Sequence, residues 1–159
     1  MMRFQNLIVT AAVALPLASG GLHAQSPRAA RAAWRPAVQF SPDTAEDNAK
    51  RAAAAWLALG DSARYAASWD SASVALRKAV TRDQWVAGIT QVRTSAGTFG
   101  ARTVSQYQFA TSLPGAPPGD YVVLQYHTVA GTGFVTETVA LTRDGSRGWR
   151  VAGYFVKPG

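Results

Sequence analysis

The sequence predicts an α+β fold, helices first and an antiparallel sheet after them, on three observations. Residues 42–94 carry apolar side chains at helical spacing between capping signals. Residues 121–156 form three runs rich in Val, Thr and aromatics, broken at Gly131-Thr132-Gly133 and at residues 144–148. The connection at residues 113–119, Leu-Pro-Gly-Ala-Pro-Pro-Gly, is a loop that no strand could absorb. Apolar helix stripes need a partner, and a following meander supplies one. The expectation is three or four N-terminal helices packed on one face of a four-stranded antiparallel meander sheet.

The N-terminus is expected to leave the mature chain. Residues 1–24 have one early cation, Arg3, then an apolar run too short to span a bilayer, then small residues ending at Ala24. That is the pattern of a secretory signal peptide, which places the protein in the periplasm or outside the cell. Residues 25–41 read as a basic Ala/Arg/Pro linker with Arg28, Arg31 and Arg35. Residues 42–159 then form a single α+β domain. No transmembrane segment remains after processing. The 159-residue chain carries a net charge of +7 and no cysteine. The missing thiols exclude a disulfide scaffold, a cysteine nucleophile and thiolate metal sites. Export argues against a nucleic-acid partner despite the basic balance.

The first helix starts near Pro42, with Ser41 or Asp43 as cap and Asp43, Glu46 and Asp47 at the end where the dipole favours acids. Ala49, Ala52, Ala53, Trp56 and Leu59 form its apolar stripe, and Gly60 ends it. Asp61 can cap a short second helix reaching Ser68, and a third runs over residues 71–80. Thr81-x-x-Gln84 is a capping box, and Trp85, Ile89 and Val92 make residues 82–94 an amphipathic helix, with Gly97 and Gly100 as breakers. Residues 102–109 alternate as a first strand, with Tyr107 and Phe109 on one side and Arg102 and Val104 on the other.

Hairpin parity sets the faces of the meander. A three-residue loop at Gly131-Thr132-Gly133 pairs Ala130 with Phe134 and places His127 opposite Glu137. A five-residue loop at residues 144–148 pairs Arg143 with Trp149 and sets Glu137 against Phe155. One face then holds Val123, Val135, Val139, Leu141, Val151 and Phe155, with Gln125, His127 and Glu137 among them. The other holds Tyr126, Tyr154, Thr136, Thr138, Ala140 and Thr142. The first face is more apolar, so it is assigned to the core. A glutamate there is costly unless paired, and the candidate partners are His127, Arg93 and Arg102. Such a group is either a polar cluster at a pocket mouth or an ion pair that fixes helix to sheet.

Several pieces together resemble one family: Ala55-Trp56-Leu57, Tyr65-Ala66-Ala67-Ser68-Trp69, Gln84-Trp85, Arg93 with Gly97, Arg102, Tyr121-Val122-Val123-Leu124-Gln125-Tyr126, Glu137-Thr138-Val139 and Trp149-Arg150-Val151-Ala152-Gly153-Tyr154. They resemble the exported bacterial domain of unknown function 4019 family, over roughly residues 43–156. The element order is similar to the NTF2-like (cystatin-like) cone. The first resemblance implies export and shape but no chemistry. The second implies a fold that hosts isomerases, small-molecule binders and interaction domains alike.

Few chemistries remain open. His127 is the one histidine after residue 24, and no carboxylates sit at ligand spacing, so no metal or other cofactor is expected. No Gly-x-Ser-x-Gly elbow supports a serine hydrolase. Paired carboxylates would need Glu137 with Asp61, Asp70, Asp83 or Asp120, each of which reads as a cap or turn residue. The enzyme alternative is a small cofactor-free isomerase or hydrolase using His127 and Glu137, with Tyr107 or Tyr126 donating a hydrogen bond. The preferred reading is a non-catalytic exported domain that binds a small molecule or protein between sheet and helices. Its site would draw on Tyr65, Trp69, Trp85, Arg93, Arg102, Tyr107, His127 and Glu137. A third reading is a structural module, a homodimer through the sheet.

Overall fold

A computed structural model describes residues 42–159 except Thr132, with side chains described from residue 45. The expected signal peptide (residues 1–24), the expected linker (residues 25–41) and the cap at Ser41 lie outside the described residues, as does the side chain of Asp43. Four helices precede a four-stranded antiparallel meander in the order β1-β2-β3-β4. The helices are α1 (Pro42–Asp61), α2 (Tyr65–Asp70), α3 (Val74–Ala79) and α4 (Arg82–Ala96). The strands are β1 (Phe99–Ala110), β2 (Tyr121–Ala130), β3 (Gly133–Arg143) and β4 (Trp149–Pro158). The α+β expectation is met. None of the described helices is long and apolar enough to cross a membrane.

Small residues let α1 approach the sheet. Ala45, Ala49 and Ala53 are buried along one stripe, and Trp56 and Leu57 continue it one turn on. This stripe packs on Val122, Leu124, Val139, Leu141 and Val151 of the sheet to form the core. Local signals set the helix ends. Ser73 caps α3 by accepting from the Leu76 N–H, and Thr81 and Gln84 form the expected capping box of α4. Gly97, at φ +78, ends α4 in a conformation costly for any side chain. The expected cap of α2 is not used: Arg64 occupies that position, and Asp61 points to two arginines instead.

The register differs from the expected one at two points, and both decide what faces the helices. Ala130 pairs with Gly133, so two residues rather than three separate the paired ends of β2 and β3. Gly131 stands at φ +54, the left-handed geometry that a tight two-residue hairpin loop requires. Its N–H donates to the Thr98 carbonyl at 2.9 Å, which ties the hairpin tip to the end of α4. One residue fewer in the loop turns β2 over. Glu137 therefore lies opposite Tyr126, and His127 lies opposite Thr136 on the other face. The His127–Glu137 facing pair is corrected on this ground. Val123 and Gln125 leave the core face with His127, and Tyr126 joins it.

The second difference is an irregularity in β4. Leu141 pairs with Val151 but Ala140 pairs with Gly153, so Ala152 is an extra residue. Beyond it Tyr154 turns inward and Phe155 outward, the reverse of the expectation. A similar shift in β1, between Val104 and Gln106, puts Arg102, Val104, Tyr107 and Phe109 all on the helix side.

Candidate functional site

The inward-turned polar residues meet where the ends of α1 and α4 cross β1. Glu137 is fully buried in the middle of β3. Around it, Arg102 donates from Nε at 2.5 Å and from Nη2 at 3.3 Å. Thr128 donates its hydroxyl at 2.6 Å and Tyr154 donates its phenol at 2.5 Å. Arg93 Nη2 lies 3.9 Å away. Four hydrogen bonds fill the places a carboxylate offers. A glutamate is tolerated here because its desolvation is offset by two cations and two hydroxyls.

Asp61, the last residue of α1, binds the same arginines from the solvent side. Arg93 reaches it at 2.8 Å, and Arg102 at 2.6 and 2.7 Å. Two carboxylates and two guanidiniums thus alternate from solvent to core. Each arginine is held further. The Arg93 guanidinium lies 3.9 Å from the Phe99 ring centroid, which gives a face to its otherwise unpaired buried Nε. On its other side is Gly60, where an added Cβ would fall 2.9 Å from Nη2.

Electrostatics follow the geometry. Burial works against the Arg102 charge, but its hydrogen bonds to Asp61 and Glu137 outweigh this and hold its pKa above the usual guanidinium range. Burial also works against Asp61, and the Arg102 and Arg93 hydrogen bonds pull its pKa below the usual carboxylate range. Burial first, then the Glu137 charge, pushes the Tyr154 phenol far up, so it remains the donor to Glu137. Burial likewise raises Tyr126 and Tyr107.

The expected site residues divide into three groups. Arg93, Arg102 and Glu137 come together as an ion network. Tyr65 lines an open cleft of about 380 Å³ above that network, with Gly60, Asp61, Arg93, Thr94, Gly97, Thr98 and Phe99. The remainder stand elsewhere. Trp69 and Trp85 are half-buried in the helix layer, their indoles donating to the Val80 carbonyl at 2.9 Å and the Ser68 hydroxyl at 3.0 Å. Tyr107 packs against the core from β1 with its hydroxyl buried and unpaired. Tyr126 is buried opposite Glu137. His127 is exposed on the far face, stacked on Phe134 at 4.7 Å. Among the described residues, no group of three or more His, Cys, Asp and Glu could hold a metal ion.

Three members of the network were not legible as such. Asp61 reads as a helix cap, and Thr128 and Tyr154 depend on the corrected register. One local signal did exist: Gly60-Asp61 ends a helix, and glycine there leaves room for a large side chain.

Two results are expected from this geometry. Gly60→Ala should destabilise, although a glycine-to-alanine change within a helix ordinarily stabilises by about 1 kcal/mol. The new methyl group displaces Arg93, and a net loss of about 1–2 kcal/mol in urea unfolding is expected. A stabilised Gly60→Ala would show that Arg93 has no fixed place. The second concerns acid. The Asp61 pKa is depressed in the folded state, so its contribution is present above the unfolded value near 3.9 and is lost as pH falls through the folded value. Asp61→Asn should flatten the acid limb of the stability–pH curve, and an unchanged limb would remove Asp61 from the network.

A family model described as "Protein of unknown function (DUF4019)" matches residues 52–154. No curated protein and no solved structure matches the chain.

Proposed function

This chain belongs to the DUF4019 family of proteins of unknown function, and within it we propose a non-catalytic, exported domain that binds a small molecule, or the tip of a protein partner, in the cleft over the ion network. One observation supports this above the others. Every charged group under the cleft is consumed by another: Glu137 by Arg102, Thr128 and Tyr154, and Asp61 by both arginines. A general base needs a free lone pair, and Glu137 has none to offer. What reaches the cleft is a wall of Tyr65, Thr94, Thr98 and Phe99 with the edges of Asp61 and Arg93. Such a wall suits recognition of hydroxyl and amide groups, with an aromatic side chain for apolar contact. Its volume is near the lower end of the usual ligand-site range of about 300–1,000 Å³, so the occupant is small.

Export and an NTF2-like cone belong to the same proposal. They rest on the pattern of residues 1–24 and on the helices-then-meander order.

The test is a thermal-shift screen of small polar compounds, followed by amide chemical-shift mapping of each compound that raises Tm. Shifts should centre on residues 60–65 and 93–99, and Tyr65→Ala should abolish them. Stabilising compounds whose shifts all fall elsewhere would overturn the cleft as the site.

A further inference from the structure

The sheet has a second face that no described helix covers, the 111–119 loop lying only over its Tyr121 end, and we infer that this face docks a second copy of this chain. The four helices all lie on the other side. Outward from β2, β3 and β4 stand Val129, Phe134 and Phe155, which are 40%, 55% and 38% exposed. His127 stacks on Phe134. Between and beside them lie Thr103, Gln106, Gln108, Gln125, Thr136 and Thr138. An aromatic patch of this kind on an open sheet marks an interaction surface.

Three observations choose a second copy as the occupant. The first is area. Strands of ten to twelve residues, at ~3.3 Å per residue and ~4.8 Å between strands, give a face of roughly 650 Å² in projection. With the 111–119 loop over one end, two such faces remove at most about 1,300 Å², at the lower end of the ~1,200–2,000 Å² of stable interfaces. The second is self-complementarity. The polar centre is threonine and glutamine, whose hydroxyls and amides both donate and accept. Such groups pair with their own kind across a two-fold axis, as an isologous interface requires. The third is charge. Glu137 is the one acid in the four strands and it points inward, so the outer face holds no acid. Arg150 and Lys157 stand outward at opposite ends of β4, so the middle can be buried without stranding a charge.

The free edge of β1 is a poorer route to association. Its two register shifts, after Phe99 and after Val104, interrupt the ladder that a new strand would have to follow.

Equilibrium sedimentation of the purified protein over a concentration series tests the inference. The expected result is a mass rising to twice that of one chain. Association should strengthen as salt is added, because Arg150 and Lys157 of the two copies share one sign and salt screens them. Phe134→Glu with Phe155→Glu should weaken association by about tenfold or more while leaving circular dichroism unchanged. Phe109→Glu, on the helix side of β1, should leave association intact. Amide shifts of the wild-type protein on dilution provide a readout that needs no variant, and they should map to residues 127–129, 134–138 and 155. A single-chain mass at every concentration overturns the inference. So does a dimer that survives the double substitution, or dilution shifts confined to the edge of β1.

Discussion

Glu137→Gln is expected to lower the unfolding free energy by about 3–5 kcal/mol, the largest effect of any conservative change in the domain. The substitution changes little in volume and removes one charge. It leaves Arg102 half-buried with only Asp61 as its anion, and the new amide NH2, itself a donor, meets donors where a carboxylate oxygen had accepted from them. Removing one member of a buried pair costs in this range because the remaining charge stays desolvated. Domains of this size have about 5–15 kcal/mol in total, so the variant would sit near the edge of folding. Guanidinium unfolding followed by tryptophan fluorescence measures it. A midpoint equal to wild type would mean that the network contributes nothing. Arg102→Met with Glu137→Leu then separates specificity from stability. Replacing a buried pair by packed apolar groups is often neutral, so the double variant should recover most of the loss.

Trp56→Ala is expected to cost about 3–5 kcal/mol, the range for removing a large aromatic from a core. Trp56 is nearly buried and holds three neighbours at once. Its indole N–H donates to the Ser68 carbonyl at 2.8 Å. Its ring lies 5.8 Å from that of Trp85 and meets Tyr154 edge-on at 5.3 Å. The last contact reaches the network, since Tyr154 is the phenol that donates to Glu137. Trp56→Phe keeps most of the packing and loses the N–H, so a cost of about 1–3 kcal/mol is expected. The two substitutions should also raise the unfolding sensitivity of Glu137→Gln in a non-additive way, because all three residues share one cluster. Strict additivity would show that Tyr154 is held in place without Trp56.

The two register differences explain why the site was only partly readable. Glu137 among apolar neighbours on β3 is visible in the sequence, and so is its need for a cation. Arg93 and Arg102 follow as partners because the helix-to-strand junction brings them to that end of the sheet. The hydroxyls of Thr128 and Tyr154 are not readable in the same way. Whether either points inward turns on a single residue, in one case the length of the β2–β3 loop and in the other the extra Ala152 of β4. A side-chain period of two gives a strand no memory of which face is which once one residue is inserted. Gly131-Thr132-Gly133 fits a two-residue or a three-residue loop equally well on local grounds. The contact of Gly131 with Thr98 at the end of α4 selects between them.

The sequence by itself determined the element order, the extent of α1 and α4 to within two residues, the meander and the absence of thiol chemistry. Each is settled by local signals: apolar period, capping side chains, glycine and proline punctuation, composition. Only the tertiary structure decided which face each strand presents and that His127 stands apart from Glu137. It also decided that Asp61 closes an ion network rather than capping a helix. The physical reason is common to these. They depend on contacts between residues far apart in the chain, where the free energy of one distant hydrogen bond or one buried charge outweighs every local preference.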